Sequence, residues 1–180
     1  MKGQETLFSH KGDEWETPKW LFDKLNSDFV FDIDAAATQE NALAPGYFTK
    51  EDDALKQDWF IDYGEDGIVK TVFLNPPYSK IAAFMKKAYE ESLKGALVVC
   101  LIPCRTDTRY WHDYVMKASE IRLIKGRLKF INKTLPSYRE DGNFKTSSAT
   151  FPSCVVVFDN RKINHGSPLL LSIVKDLGDI

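Results

Sequence analysis

The sequence predicts an α/β fold in which a mostly parallel sheet carries helices on both faces. Segments with apolar residues at helical spacing alternate along the chain with short apolar runs, which are typical of strands buried on both faces. Clusters of polar and small residues directly follow three of these runs, at Asp34, Asn75 and Pro103. Ligands of such folds bind beyond the carboxyl ends of the strands, so these clusters predict where a site lies.

The helices are predicted from apolar spacing and from the residues at their ends. The first begins at Pro18, a residue favoured at the first helical position, with Thr17 as its N-cap, and it continues to Leu25. The longest covers residues 81–93 and stops before Gly95. Two further helices are predicted, over residues 108–118 and, as a short helix, over 38–44.

The strands are predicted from runs of β-branched and aromatic residues between turn signals. Residues 96–102 form the clearest run, which is apolar throughout, and residues 155–158 form the last clear strand. The other predicted strands cover 29–34, 47–48, 72–74 and two short segments within 120–131 around Gly126.

Length and composition are typical of one globular domain spanning residues 1–180, with residues 1–12 as a flexible start. The chain is 43% apolar and 28% charged. It shows neither a signal peptide nor an apolar stretch of membrane-spanning length, so we expect a cytoplasmic protein. The three cysteines and three histidines have no metal-ligand spacing, so no metal site is predicted, and Cys100 and Cys154 suit buried thiols.

The formal charge of −2 conceals an uneven distribution. Residues 1–66 contain 6 Lys or Arg against 16 Asp or Glu, whereas residues 105–145 contain 10 against 5. A local basic segment of this kind is either a solvated mixed-charge surface or a surface that faces phosphates.

The most distinctive motif is Asn75-Pro76-Pro77-Tyr78, directly behind the apolar run 71–74. Two successive prolines fix φ and end the sheet ladder, so the loop can hold the Asn75 side chain and a backbone carbonyl at a set separation. Two such acceptors can bind the two N–H bonds of a conjugated amino group and free its lone pair. The Tyr78 ring offers a surface on which a base can stack. The motif predicts catalysis at an amino group, against the simpler alternative of a Pro-rich turn.

Further motifs accompany this loop in order along residues 13–158. They are Trp15-Glu16-Thr17-Pro18, residues 32–37, Gln57-Asp58-Trp59, residues 105–108 with Trp111-His112, Gly126-Arg127-Leu128 and Phe151-Pro152-Ser153. The series resembles the phage and prophage type of DNA N6-adenine methyltransferase. The Asn-Pro-Pro-Tyr loop is shared by amino-group methyltransferases in general, whereas residues 105–108 followed by Trp111-His112 are more specific to this family.

The resemblance implies a Rossmann-like methyltransferase fold, with a mostly parallel sheet and an antiparallel last strand. It implies transfer of a methyl group from S-adenosyl-L-methionine to the N6 amino group of adenine in DNA. The residues implied as catalytic are Asn75, Pro76, Pro77 and Tyr78.

The resemblance also implies where the cofactor binds. Thr17 and Pro18 would lie near its methionine part, and Asp34, Ala35 and Ala36 would follow the first strand beside it, with Asn75 adjacent. Asp58 would accept from its adenine amino group, and Trp59 or Phe60 would pack on that ring. The chain has alanines at 35–37, where the broader superfamily has a Gly-rich turn. The acid that would hold the ribose hydroxyls stays open among Glu51, Asp52 and Asp53.

DNA is the implied partner, either as a single strand or as a duplex from which the target base is flipped. The residues expected to bind it are Arg105, Arg109, Trp111, Arg127 and Lys129. In a strand, Arg127 and Lys129 would point to the same side, opposite Leu128 and Phe130. The polar stretch 132–150 is predicted to be a mobile loop that faces the target.

Three alternatives remain at this point. A protein-glutamine methyltransferase uses the same loop, but such enzymes usually have the Gly-rich cofactor turn that is absent here. Cytosine N4 methylation is disfavoured because Ser rather than Asn commonly opens its loop. A catalytically silent DNA-binding protein of the same fold is disfavoured by the presence of both Asn75 and Asp58.

Overall fold

A computed structural model describes residues 15–60, 70–130, 147–149, 151–162 and 168–173 of the protein. The helices are α1 (Lys19–Phe29), α2 (Ile81–Lys94) and α3 (Arg109–Asp113), with 3₁₀ turns at Tyr78–Lys80, Val115–Lys117 and Asn160–Lys162. The strands are β1 (Ile33–Asp34), β2 (Gly46–Tyr47), β3 (Thr71–Leu74), β4 (Leu97–Pro103), β5 (Glu120–Ile124), β6 (Lys129–Phe130), β7 (Ser147–Ser148), β8 (Ser153–Phe158) and β9 (Leu169–Ile173).

Seven of these strands form one sheet, in the order β2-β1-β3-β4-β8-β5-β9, and β6 pairs with β7 apart from it. The neighbouring pairs among β1 to β4 are parallel, as is the pair of β5 with β9, whereas β8 is antiparallel to both β4 and β5. The predicted α/β class with a mostly parallel sheet is confirmed. The antiparallel strand is β8, which contains the last strand predicted from the sequence, residues 155–158, and the additional β9 that follows it runs parallel to β5.

The continuous apolar runs are central strands, as their composition predicts. Every residue of β3, β4 and β8 is buried. Successive residues of a strand face opposite sides of the sheet. Val98, Cys100 and Ile102 therefore join the core that includes α2 residues, while Val99 and Leu101 join the core that includes α1 residues.

The helix α1 differs from its prediction at both ends. Pro18, not Thr17, occupies the N-cap position, and no side chain caps the helix there. The helix continues to Phe29 and ends at Val30, which has φ 52° and donates its N–H to the Asn26 carbonyl. Because α1 takes up the beginning of the predicted strand 29–34, β1 is reduced to Ile33–Asp34.

Two other predicted helices are shortened or absent. Residues 38–44 form turns rather than a helix. The segment predicted to be helical over 108–118 divides into α3 and a 3₁₀ turn, because Tyr114 between them has φ −129° and ψ −52°.

Several predictions fall on residues outside the described ranges. These are the flexible start 1–12 and most of the mobile loop 132–150. The described end of that last segment is not a loop, since Ser147–Ser148 pair with Lys129–Phe130 as β7. Within the described ranges, none of the helices has the length and apolar character needed to span a membrane.

Candidate active site

The Asn-Pro-Pro-Tyr motif forms a short loop at the carboxyl end of a central strand. Asn75 follows β3, which lies between β1 and β4 in the sheet. Pro77 has φ −59° and ψ 123°, and its carbonyl accepts from the N–H of Lys80 at 2.9 Å, which closes the 3₁₀ turn Tyr78–Lys80. The prolines thus end the ladder and the turn holds the loop against the beginning of α2, as the sequence predicts.

The side chain of Asn75 is held from one end only. Its Nδ2 group donates to the backbone carbonyl of Trp15 at 2.7 Å and to Oγ1 of Thr17 at 3.1 Å. Its Oδ1 atom is buried and accepts no hydrogen bond in the part of the chain that the structure describes. A buried acceptor without a partner is unfavourable unless a ligand supplies a donor. The arrangement therefore suits recognition of an N–H group.

Tyr78 lies in the wall of the same site. Its ring meets the ring of Phe151 edge-on, with centroids 5.4 Å apart. Its hydroxyl is buried and has no hydrogen-bond partner among the described residues, and burial raises the pKa of Tyr78. The phenol thus stays protonated and can donate to a ligand.

A pair of thiols lies near Tyr78. Cys104 follows β4 and Cys154 lies in β8, and electrostatic interaction with Cys154 contributes to the raised pKa of Tyr78. A hydrogen bond from the Cys154 thiol lowers the pKa of the half-buried Cys104 to about 7. Cys100 and Cys154 are buried free thiols, as the apolar runs predict.

Asp34 and the alanines behind it mainly organise the loop after β1. The Asp34 carboxylate is 4% exposed and accepts from the N–H of Ala36 at 3.4 Å and of Leu43 at 3.2 Å. The Ala35 side chain is in the core and its N–H donates to the Phe73 carbonyl, so only Ala36 of the two predicted alanines retains accessible surface. The buried Asp34 side chain therefore stabilises this loop through hydrogen bonds to its backbone.

Asp34 should make stability depend on pH in the acidic range. Burial raises the pKa of Asp34 to about 6, from 3.8, against the opposing effect of its two backbone hydrogen bonds. A carboxyl with a raised folded-state pKa contributes stability below its unfolded pKa and loses it as the pH rises to the folded value. Relative to Asp34→Asn, the wild type should lose about 2–3 kcal/mol between pH 4 and pH 6 to 7. Urea unfolding of both proteins at pH 4 and at pH 7 measures this, and an equal loss of stability in Asp34→Asn would contradict it.

The structure separates Asp58 and Trp59 from the catalytic loop, so their predicted cofactor contacts are not supported. Asp58 has a side chain 73% exposed and pairs with Lys94 at 2.7 Å, at the far end of α2. That helix begins at Ile81 beside the loop and rises 1.5 Å per residue, which places Lys94 about 20 Å away. Trp59 is fully buried, with its indole N–H donating to the Ala54 carbonyl at 2.8 Å. Its ring is a core element and offers no face to a ligand.

Asp53 is an acid whose charge interacts with Lys80, in the turn that follows the Asn-Pro-Pro-Tyr loop. It follows β2, adopts φ 52°, and forms an ion pair with Lys56 at 2.8 Å. The bond from Lys56 lowers the pKa of Asp53, and the positive charge of Lys80, in the turn after Asn75, also contributes. Left-handed backbone at a residue other than glycine is uncommon and concentrates at functional sites. Asp52, in contrast, is engaged by the N–H and hydroxyl of Thr49, both at 2.8 Å.

Four of the five residues predicted to face DNA are exposed, and these four are the basic ones. Arg105 and Arg109 lie after the carboxyl end of β4, the neighbour of β3. Arg127 and Lys129 are exposed, and the apolar residues that alternate with them, Leu128 and Phe130, are buried. Trp111 is the correction in this group. It is 5% exposed and packs in the core with α2, because it lies on the inner side of α3, so it presents no ring for stacking on a base.

A contact that the sequence did not predict joins β6 to the segment that holds Asn75. The ring of Trp15 meets the ring of Phe130 edge-on at 5.8 Å, while the carbonyl of the same tryptophan accepts from the Asn75 side chain.

Glu91 is a second residue whose role the sequence did not predict. It is fully buried and accepts from the N–H groups of Trp59 and Phe60 and from Lys87 and Lys94. A charged residue on the apolar side of a predicted helix was the only signal for it.

Metal-ligating residues do not converge in the described ranges, where no group of three or more His, Cys, Asp or Glu side chains is placed to hold an ion.

The strand order with one antiparallel strand, and an Asn-Pro-Pro-Tyr loop at the carboxyl end of a central strand, define a Rossmann-like methyltransferase. The family described as DNA N-6-adenine-methyltransferase (Dam) matches residues 4–162, and the chain belongs to this family.

Two curated relatives carry the same description. The DNA N-6-adenine-methyltransferase of Escherichia phage T1 is 30% identical over 170 residues, which is 86% of this chain and 65% of that protein. The DNA N-6-adenine-methyltransferase of Haemophilus phage HP1 is 31% identical over 159 residues, which is 86% of this chain and 83% of that protein. The chain thus spans somewhat less than two thirds of the T1 protein and most of the HP1 protein.

Proposed function

We propose that this protein transfers a methyl group from S-adenosyl-L-methionine to the N6 amino group of adenine in DNA. The observation that carries the proposal is the Asn75 side chain, whose buried Oδ1 atom accepts nothing from the described residues while its Nδ2 group is fully engaged. The family of the chain and the descriptions of its T1 and HP1 relatives support adenine in DNA as the acceptor.

The residues at the carboxyl edge fit the proposed methyl donor. A small side chain at Ala36 leaves the edge beside β1 uncrowded, Thr17 and Pro18 directly precede α1 with the Thr17 hydroxyl at Asn75, and Asp53 follows β2. We assign Asp53, in place of Asp58, as the carboxylate that accepts from the polar groups of the adenosine part. S-adenosyl-L-methionine supplies an electrophilic methyl group when bound.

The catalytic contribution of the chain is to prepare the acceptor nitrogen. The Oδ1 atom of Asn75 accepts one N–H of the adenine amino group, and a loop carbonyl accepts the other. We assign that carbonyl to Pro76, because the carbonyl of Pro77 already accepts from Lys80. Both bonds strengthen as the nitrogen becomes tetrahedral and acquires positive charge, so they stabilise the transition state more than the bound substrate. Tyr78 forms a wall of the base site, and its buried hydroxyl is available to donate to the base.

DNA is proposed to lie across Arg105, Arg109, Arg127 and Lys129. The contact of Trp15 with Phe130 supports this proposal, because it brings β6, which contains Lys129, close to the residue whose carbonyl holds Asn75. The target adenine reaches the loop from a single strand or by flipping out of a duplex at a cost of a few kcal/mol. The cytoplasmic location predicted from the sequence stays a prediction.

Transfer of tritiated methyl groups tests the proposal directly. The purified protein is incubated with labelled S-adenosyl-L-methionine and DNA, and the nucleosides of the digested DNA are separated. Label in N6-methyl-2′-deoxyadenosine is the expected result. Label in N4-methyl-2′-deoxycytidine would support cytosine as the acceptor, and label in glutamine after a parallel reaction with protein in place of DNA would support a protein acceptor. No label in either reaction, with binding of DNA retained, would support a silent DNA-binding protein.

The basic surface gives a prediction on salt dependence. Neutralising both Arg127 and Lys129 to Gln should weaken binding to all DNA sequences and flatten the plot of log affinity against log salt by up to about 2, since each phosphate contact contributes about 0.9 on duplex DNA. The control Lys86→Gln/Lys117→Gln removes the same charge from α2 and from the 3₁₀ turn Val115–Lys117, where Lys86 pairs with Glu90 and Lys117 lies over the Tyr89 ring. This variant should leave the slope unchanged. An unchanged slope in the Arg127/Lys129 variant would place DNA on another surface.

The two acids give a matched prediction on cofactor affinity. Asp53→Asn should weaken S-adenosyl-L-methionine binding about tenfold, as expected for loss of a charged acceptor. Asp58→Asn should leave the affinity within twofold of the wild type, because its carboxylate lies at the other end of α2. Isothermal titration calorimetry distinguishes the two, and the reverse ranking would restore Asp58 as the cofactor residue.

A further inference from the structure

The carboxamide of Asn75 could occupy its position in two orientations that differ in which atom faces the substrate. In the orientation observed, Nδ2 faces the Trp15 carbonyl at 2.7 Å and the Thr17 hydroxyl at 3.1 Å. The flipped orientation would set Oδ1 against the Trp15 carbonyl. Because a carbonyl oxygen only accepts hydrogen bonds, that contact would be repulsive, and the buried end of the amide would become a donor instead of an acceptor.

The Trp15 carbonyl selects the orientation, because a hydroxyl such as that of Thr17 can donate as well as accept, and Thr17 holds the selected orientation with a second hydrogen bond from a rigid site. Thr17 is buried, and it directly precedes Pro18, the N-cap of α1. The helix is in turn anchored in the core through Leu21, Phe22 and Leu25. In the orientation that the Trp15 carbonyl selects, the hydroxyl accepts the second Nδ2 hydrogen, so both hydrogens of the carboxamide are satisfied without a contact from Oδ1.

We propose that Thr17, together with the Trp15 carbonyl, is a positioning residue that fixes the Asn75 amide with Oδ1 toward the acceptor amino group. This inference rests on the proposed function, since an outward Oδ1 matters for catalysis only if Asn75 binds an amino group. The role proposed for Thr17 is to orient Asn75. The sequence had instead predicted Thr17 as the N-cap of α1 and as a residue near the cofactor.

The test compares Thr17→Val, which keeps the shape and removes the hydroxyl, with Thr17→Ser, which keeps the hydroxyl. Thr17→Val should lower the single-turnover rate of methyl transfer at saturating cofactor and DNA about tenfold, with the dissociation constant of S-adenosyl-L-methionine within twofold of the wild type. Thr17→Ser should retain the rate within about threefold. An unimpaired rate in Thr17→Val, or a loss of cofactor affinity as large as the loss of rate, would overturn the proposal.

A second measurement does not depend on turnover. The side-chain NH₂ resonances of Asn75, assigned in ¹⁵N spectra by their disappearance in Asn75→Ala, should shift and exchange faster with solvent in Thr17→Val but not in Thr17→Ser. Unchanged resonances in both variants would overturn the role of Thr17 even if the wild type methylated DNA. If the wild type methylated no acceptor while these resonances behaved as expected, the proposed function would fail and the orientation of Asn75 by Thr17 would stand.

Discussion

Asn75→Ala is expected to reduce methyl transfer to DNA by at least about a hundredfold, the usual cost of removing one well-placed polar group that acts on the transition state. The substitution removes the buried Oδ1 acceptor together with the Nδ2 group that donates to Trp15 and Thr17. The fold should be retained, because β3 ends before this residue and its neighbours in the core are unchanged. Single-turnover assays with labelled cofactor measure the effect.

The dissociation constant of S-adenosyl-L-methionine should change much less than the rate in this variant. Asn41→Ala serves as a control, since Asn41 belongs to the loop between β1 and β2 and caps the N–H of Thr38 away from Asn75. Its rate should remain near that of the wild type. Near-normal turnover in Asn75→Ala would exclude Asn75 as the acceptor for the amino group and with it the proposed catalytic mechanism.

Glu91→Ala is expected to destabilise the protein by about 3–5 kcal/mol, which is the usual effect of removing one partner from a buried ion pair. The carboxylate of Glu91 is fully buried and accepts from the N–H of Trp59 at 3.0 Å and of Phe60 at 3.2 Å, and from Lys87 at 2.7 Å and Lys94 at 2.8 Å. Truncation would leave two backbone donors and the part-buried Lys87 without this acceptor. Denaturant unfolding monitored by tryptophan fluorescence measures the loss.

The neighbouring Glu90 provides a matched control for this prediction. Its side chain is half exposed and forms an i,i+4 pair with Lys86 on the outer face of α2, so Glu90→Ala should cost less than about 0.5 kcal/mol. Burial works to raise the pKa of Glu91, but its bonds from Lys87, Lys94 and the Trp59 N–H outweigh burial and lower it. A group with a lowered folded-state pKa contributes stability above its unfolded pKa, so the difference between wild type and Glu91→Ala should shrink as the pH falls below 4.5. Equal stabilities for the two variants would exclude Glu91 as the anchor of residues 59–60.

Local sequence rules were sufficient for the central strands and for the catalytic loop. The apolar runs of β3, β4 and β8 could only be buried on both faces, and two prolines after β3 could only end it, so both features follow from residues adjacent in the chain. The exposure of Lys129 and the burial of Phe130 in β6 follow from the period of a strand, and the same alternation holds for Arg127 and Leu128 directly before it. The resemblance to the family depended on the same short motifs and is confirmed by the family match.

The partners of the site residues were decided by the tertiary structure. Thr17 lies 58 residues from Asn75, and no rule of local sequence indicates that its hydroxyl faces the catalytic amide rather than capping α1. Asp58 was assigned to the cofactor by its place in a motif, but its ion pair with Lys94 places it at the opposite end of α2. Trp111 was assigned to DNA by its type, but the inner side of α3 buries it. Sequence patterns determine which residues are apolar, rigid or charged, whereas long-range packing determines which of them meet, because contacts distant in the chain depend on the position of every intervening element.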